Sequence, residues 1–151
     1  EIDQFLFDAR TGRLTANEPA SYSPPTPEGP RHICFHPTLD VLYSVNENAG
    51  TVSAHHLDPE TGLLDGFQTL TTLPEGYEGE NNTAEIKITP SGRFLYASNR
   101  GHDSIAERTA CFGTHAQFRM IGSVQNFVVS HCLVGTPRAE FLSIDEHSAS
   151  K

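Results

Sequence analysis

Arg100, His102 and Asp103 lie within four positions of one another in the segment NRGHDS, at 99–104. A guanidinium, an imidazole and a carboxylate in one place could bind an anion, hold a metal ion or transfer protons. The same residue types also form polar turns, because an Asp side chain accepts hydrogen bonds from nearby backbone amides. Whether this segment is a catalytic loop, a metal site or a turn has to be inferred from the surrounding sequence.

Patterns typical of other active sites are weak. His32 and His36 are four apart, but their segment has a strand pattern rather than the helix of an i, i+4 zinc site. His55 and His56 are adjacent and would point to opposite faces of a strand. The sequence contains no C-x-x-C pair and no G-x-S-x-G elbow. Neither a structural zinc nor a serine hydrolase is therefore indicated.

The composition limits the class of protein. The 151 residues suffice for one domain, and 12 Gly and 10 Pro favour a turn-rich β protein over a helix bundle. The formal charge of −9 argues against a nucleic-acid partner, although a few local Arg residues can still bind an anionic substrate. We expect neither a membrane span nor a signal peptide, because the sequence shows no long apolar run and no charged segment followed by an apolar one. Together with three widely spaced cysteines, this leads us to expect a cytoplasmic protein.

An internal repeat organises the chain. The segment PTLDVLYSVNENAGTV (37–52) matches PSGRFLYASNRGHDSI (90–105). The matched pairs, each 53 residues apart, are Pro37 and Pro90, Leu42 and Leu95, Tyr43 and Tyr96, and Asn46 and Asn99. A second, shorter repeat consists of two D-x-x-T-G turns, DARTGRL (8–14) and DPETGLL (58–64). A repeat of about 50 residues built from short strands and Gly/Pro turns is typical of a β-propeller blade.

The sequence therefore predicts an all-β fold of four-stranded antiparallel blades, with only part of a ring present. ICFHP, VLYSVN and TVSAHHLD are predicted as successive strands, as are EIKITP and RFLYAS; IDQFLFDARTGRL is predicted as the closing hairpin of an earlier blade. Inter-blade loops are expected at 16–30 and 74–83. We assign 1–106 to the partial propeller and 107–151 to a tail that has diverged or changed reading frame, in which VQNFVVS (124–130) alone resembles a strand. Open sheet edges would allow self-association.

The motifs GPRHICFHP, VLYSVNE, TAEIKITPSGRFLYASNRGHDSIA and the two D-x-x-T-G-x-L turns resemble the lactonase family of seven-bladed β-propellers. The resemblance covers residues 3–106. The family includes 6-phosphogluconolactonases and fungal carboxymuconate-lactonizing enzymes. It implies metal-free, cofactor-free hydrolysis of a small anionic lactone, 6-phosphogluconolactone, to 6-phosphogluconate in the pentose phosphate pathway. It also implies an active cleft at the central channel, lined by Arg, His and Glu from inner strands.

By this resemblance the catalytic residues are Arg31 and His32, from GPRH, and Glu47, from VNE. His32 would be the base, Glu47 would orient or deprotonate the water, and Arg31 would bind the substrate's anionic group. The 53-residue offset places Glu85 one blade after His32, and Arg100 one blade after Glu47. The residues predicted to contact the substrate are Glu85, Arg100, His102 and Arg138, of which Arg138 belongs to the segment TPRAEF.

Each residue also has a structural interpretation. Arg31, Glu47 and Glu85 could form ion pairs that only join blades, and Asp103 is predicted to be a turn residue. Two other functions remain open at this point. One is a carboxymuconate-lactonizing type of cyclase on the same scaffold, and the other is a non-enzymatic binding or assembly module.

Overall fold

Ten strands in three antiparallel sheets make up the computed structural model, which describes residues 1–110 and 117–123. The first sheet is a hairpin of β1 (Ile2–Asp8) and β2 (Arg13–Tyr22). No helix in the described part of the chain is long and apolar enough to cross a membrane.

The other two sheets are complete four-stranded meanders, each a propeller blade. The first blade contains β3 (Pro30–Phe35), β4 (Val41–Asn46), β5 (Thr51–Leu57) and β6 (Leu64–Thr71). The second blade contains β7 (Asn82–Ile88), β8 (Phe94–Arg100), β9 (Ser104–Thr109) and β10 (Arg119–Ser123). Neighbours in the chain are neighbours in each sheet, so the predicted fold class is confirmed.

The repeat is visible in the strand positions. β4 and β8 begin 53 residues apart, at Val41 and Phe94, and so do β5 and β9, at Thr51 and Ser104. The two D-x-x-T-G turns are also alike. Asp8 accepts from the backbone amide of Arg10, and Asp58 from that of Glu60, at 2.9 and 2.8 Å. The Asp8 turn joins β1 to β2, and the Asp58 turn joins β5 to β6.

Several strands differ from the sequence prediction; β7, for example, begins at Asn82, within the loop expected at 74–83. β2 extends to Tyr22, which pairs with Ile2, so residues 16–22 of the predicted loop are strand. Pro19 is tolerated because β2 is paired with β1 alone in its sheet, and an edge strand needs no amide on its open side. β10 was not predicted, because RMIGS is short and contains Gly and Arg; it extends the second blade beyond Ala106. The predicted strand at 124–130 lies outside the described residues.

The hydrophobic core lies between the two blades. Tyr43, Val45 and Val52 of the first blade pack with Ile86 and Leu95 of the second, all with at most 4% of their surface exposed. Because side chains alternate along a strand, Tyr43 and Val45 occupy one face of β4. The second blade presents Ile86 and Leu95 to that face. Burial of this apolar surface joins the blades, and both blades therefore hold the residues at their shared edge in fixed positions.

His55 is buried on the opposite face of the first blade, with 1% of its surface exposed. Its Nε2 lies 2.9 Å from Ser44 Oγ, and its Nδ1 has no hydrogen-bond partner among the described residues. The Tyr22 ring packs edge-on against it at 4.9 Å. Burial lowers the pKa of His55 to about 4, although the nearby Asp65 carboxylate opposes this shift. The imidazole is therefore neutral at physiological pH.

Acidification is expected to destabilise the fold through His55. The unfolded chain protonates this group near pH 6.5, whereas the folded chain resists protonation until about pH 4. The stability contributed by neutral His55 is therefore present above pH 6.5 and is lost between pH 6.5 and 4, by up to about 3 kcal/mol. Urea unfolding at several pH values would measure it. His55→Gln, which keeps a polar atom facing Ser44 but does not titrate, should show a shallower decline; identical pH profiles would contradict this assignment.

Candidate active site

The candidate site lies at one edge of both blades. Pro30 at the start of β3 pairs with Asn46 at the end of β4, and Asn82 at the start of β7 pairs with Arg100 at the end of β8. Since β3 and β7 are neighbours in space, their first residues meet at the same edge. The strands therefore bring together the predicted residues Arg31, His32, Glu47, Glu85 and Arg100.

Glu47 bridges two arginines from different blades. Its Oε1 accepts a hydrogen bond from Arg31 Nη1 at 2.7 Å and another from Arg100 Nη2. About a third of the Glu47 and Arg31 side chains is exposed, and about half of Arg100. Ion pairs this exposed contribute only about 0–1 kcal/mol to stability. Two guanidinium groups on one carboxylate leave a net positive charge, which suits an anionic ligand.

Glu85 forms the second half of the site. Its Oε1 lies 3.2 Å from His32 Nδ1 and 3.3 Å from Lys87 Nζ, and it accepts from the Ile86 amide at 3.0 Å. Partial burial raises the pKa of Glu85, but the Ile86 amide, the Lys87 charge and His32 outweigh it, and the net shift is downward. Glu85 is therefore an ionised carboxylate at neutral pH.

A bulge in each inner strand shapes this edge. The register of β3 against β4 shifts between Pro30 and His32, and that of β7 against β8 shifts between Thr83 and Ile86. Both shifts begin at the same repeat position, because Pro30 and Thr83 are 53 residues apart. A bulge redirects side chains that would otherwise alternate between faces. Arg31 and His32 are adjacent, yet each contacts a carboxylate of this site.

The predicted substrate contact His102 is not brought into this cluster. The imidazole of His102 contacts Ser104 Oγ, 2.8 Å from its Nδ1, and the ring of Tyr77, at 4.7 Å between centroids. Arg138 lies outside the described residues. The prediction that Asp103 is a turn residue is confirmed: it has a φ of 51° and its Oδ1 accepts from the Gly101 amide at 3.3 Å.

Sequence reasoning missed Lys87. The alternation in EIKI would have found it, because residues two apart on a strand share a face. Cys34 is another neighbour of the site. Burial raises the pKa of its thiol to about 12; the charge of Lys87 lowers this pKa, and the charge of Glu85 raises it. The thiol is therefore protonated and a poor nucleophile.

Metal ligation has no candidate cluster in the described residues: nowhere in 1–110 and 117–123 do three His, Cys, Asp or Glu side chains lie together so as to hold an ion. The residues present at the edge supply an imidazole, two carboxylates and three cationic groups. Such a set can move a proton and stabilise a developing negative charge.

Comparison with known proteins agrees with the propeller fold. A family model described as "Lactonase, 7-bladed beta-propeller" matches residues 1–124. A 6-phosphogluconolactonase of Pectobacterium carotovorum is 41% identical over 96 residues, which are 63% of this chain and 29% of that protein. That of Bacillus subtilis is 34% identical over 102 residues, 68% of this chain and 29% of that protein.

A solved structure of similar fold is the periplasmic gluconolactonase of Pseudomonas aeruginosa. It superimposes with a TM-score of 0.62 at 28% identity, over 75% of this chain and 31% of that one. The chain thus spans less than a third of the length of these relatives. On the family match and the blade architecture, the chain belongs to the lactonase family of seven-bladed β-propellers.

Proposed function

We propose that the chain hydrolyses a sugar lactone, with 6-phosphogluconolactone as substrate and 6-phosphogluconate, an intermediate of the pentose phosphate pathway, as product. The observation that carries the proposal is the pairing of two carboxylates with cationic groups across two blades. Glu47 joins Arg31 to Arg100, and Glu85 joins His32 to Lys87. Two curated relatives called 6-phosphogluconolactonase support the choice of substrate.

His32 is the proposed general base. Its Nε2 takes a proton from water as the water oxygen adds to the lactone carbonyl carbon, and the carbonyl electron pair moves onto its oxygen. When this oxyanion collapses, the ring C–O bond breaks. The ring oxygen leaves with the proton returned by His32, and the product is an open hydroxy acid. Nearly half of the His32 side chain is exposed, so water can reach it.

The arginines supply the positive charge. Arg31 and Arg100 share one carboxylate, so their remaining N–H groups can bind the substrate phosphate and the developing oxyanion. Glu47 holds both guanidinium groups in place and orients the attacking water. The chain as a whole carries a charge of −9, so these groups form a local positive site on an acidic protein.

Initial rates with three lactones test the proposal. We expect the purified chain to hydrolyse 6-phosphoglucono-δ-lactone faster than the spontaneous reaction, and faster than the unphosphorylated glucono-δ-lactone, because only the former has a phosphate for the arginines. Turnover of a carboxymuconolactone alone would instead favour the cyclase function.

A second candidate function, self-association, has an observation of its own in its favour. Several large apolar side chains are between 49 and 64% exposed: Phe5, Leu6, Phe7, Leu14 and Phe35. Phe7 and Leu14 are cross-strand neighbours in the hairpin, and adjacent exposed apolar side chains are typical of protein contacts. Absence of turnover, combined with defined oligomers in light scattering, would support an assembly module and contradict the hydrolase. We also propose a cytoplasmic location, with which the free thiol of Cys34 is compatible.

A further inference from the structure

The hydrogen bond between His32 and Glu85 uses a specific ring nitrogen. Glu85 Oε1 lies 3.2 Å from His32 Nδ1, and His32 belongs to β3 whereas Glu85 belongs to β7. An ionised carboxylate only accepts hydrogen bonds, so the imidazole must donate. Nδ1 therefore carries the hydrogen in the neutral ring, and Nε2 keeps its lone pair.

Glu85 is itself held from three sides. Its carboxylate accepts from the Ile86 amide at 3.0 Å and lies 3.3 Å from Lys87 Nζ. Its backbone amide donates to Ser98 Oγ at 3.1 Å, so β8 fixes the residue within the β7 bulge. Because Lys87 and the Ile86 amide favour the charged form, the pKa of Glu85 lies below its usual value despite partial burial. The acceptor for His32 is thus both ionised and fixed.

We propose that Glu85 is a positioning residue rather than a substrate contact: it selects the Nδ1–H tautomer of His32 and so leaves Nε2 ready to accept a proton, while Lys87 keeps Glu85 charged and in place. This inference rests on the proposed function for its meaning, because it assigns Nε2 as the basic atom. The tautomer itself is a property of the folded chain and can be measured without substrate.

His36 provides an internal reference of the opposite kind. Its Nδ1 accepts from the backbone amides of Thr38 and Leu39, at 3.2 and 3.0 Å. Nε2 must then carry the hydrogen, and it lies 3.2 Å from the carbonyl oxygen of Gly92. The hydrogen bonds therefore favour opposite tautomers in the two rings: a carboxylate selects that of His32, and backbone amides select that of His36.

Long-range ¹H–¹⁵N correlation NMR of the full chain tests this inference, at a pH high enough for both rings to be neutral. We expect a protonated, pyrrole-type Nδ1 for His32 and a protonated Nε2 for His36. In Glu85→Ala, His32 should change to mainly the Nε2–H form that free imidazole side chains prefer, and His36 should not change. Glu85→Gln, whose amide oxygen still accepts, should restore the Nδ1–H form.

Three results would overturn the proposal: an Nε2–H tautomer of His32 in the wild type, no change in Glu85→Ala, or a parallel change at His36. Lactone hydrolysis by the same samples separates the two ideas. If the lactone is hydrolysed but His32 has an unexpected tautomer, the positioning role of Glu85 is rejected and the hydrolase function is retained. The expected tautomers without turnover reject the hydrolase and leave Glu85 as the residue that positions His32.

Discussion

Ile86→Ala is expected to destabilise the fold by about 2–5 kcal/mol, the range for replacing a buried aliphatic side chain by alanine. Ile86 is 0% exposed and packs between the blades, against the face of β4 that carries Tyr43 and Val45. Alanine would remove three carbon atoms and leave a cavity that two paired sheets cannot easily close. Urea unfolding followed by circular dichroism would give the loss of unfolding free energy.

The repeat offers a matched control. Ile33 occupies the position 53 residues earlier, in β3, but 46% of its surface is exposed because no described blade covers that face. Ile33→Ala removes the same atoms and should cost well under 1 kcal/mol in the monomer. Equal losses in the two variants would mean that the blade contact does not hold the structure together.

His32→Ala is expected to lower lactone hydrolysis by about 10²- to 10⁴-fold, the usual contribution of a general base. The side chain is 45% exposed, so its removal should leave the unfolding midpoint almost unchanged. A change in kcat with little change in KM would indicate loss of proton transfer rather than of binding. Initial rates and thermal unfolding of the same preparation would measure both.

Substitution of a surface histidine, His56, is the control for His32→Ala. His56 lies at the outer end of β5 and stacks on Phe67 at 4.2 Å between ring centroids. His56→Ala should retain full activity. If His32→Ala were as active as His56→Ala, then His32 would not be the base, and its contact with Glu85 would be a structural ion pair.

The repeat explains why much of the site could be predicted from the sequence. A constant offset of 53 residues maps one blade onto the next, so His32 was expected beside Glu85 and Glu47 beside Arg100, and both contacts are present. Their chemical roles stay predictions. His102 was harder to place, because it follows the end of β8 and its direction depends on the turn rather than on strand alternation.

Other features depend on tertiary context. The bulges that direct Arg31 and Glu85 arise where two strands fall out of register, and no residue type in either segment marks them. The extension of β2 through Pro19 follows from its open edge, which local propensity does not reveal. We still propose that residues 107–151 include diverged or frame-shifted sequence, which the encoding DNA read in three frames would show.

The most direct test of the central claim is the rate of 6-phosphoglucono-δ-lactone hydrolysis by the purified chain, measured against the spontaneous rate in the same buffer. The claim is that the Glu47 and Glu85 clusters together form a lactone-hydrolysing site. It predicts a rate that rises in proportion to the concentration of wild-type chain and falls at least about 100-fold in His32→Ala. A rate equal to the spontaneous one at every protein concentration, or equal in the two proteins, would contradict it.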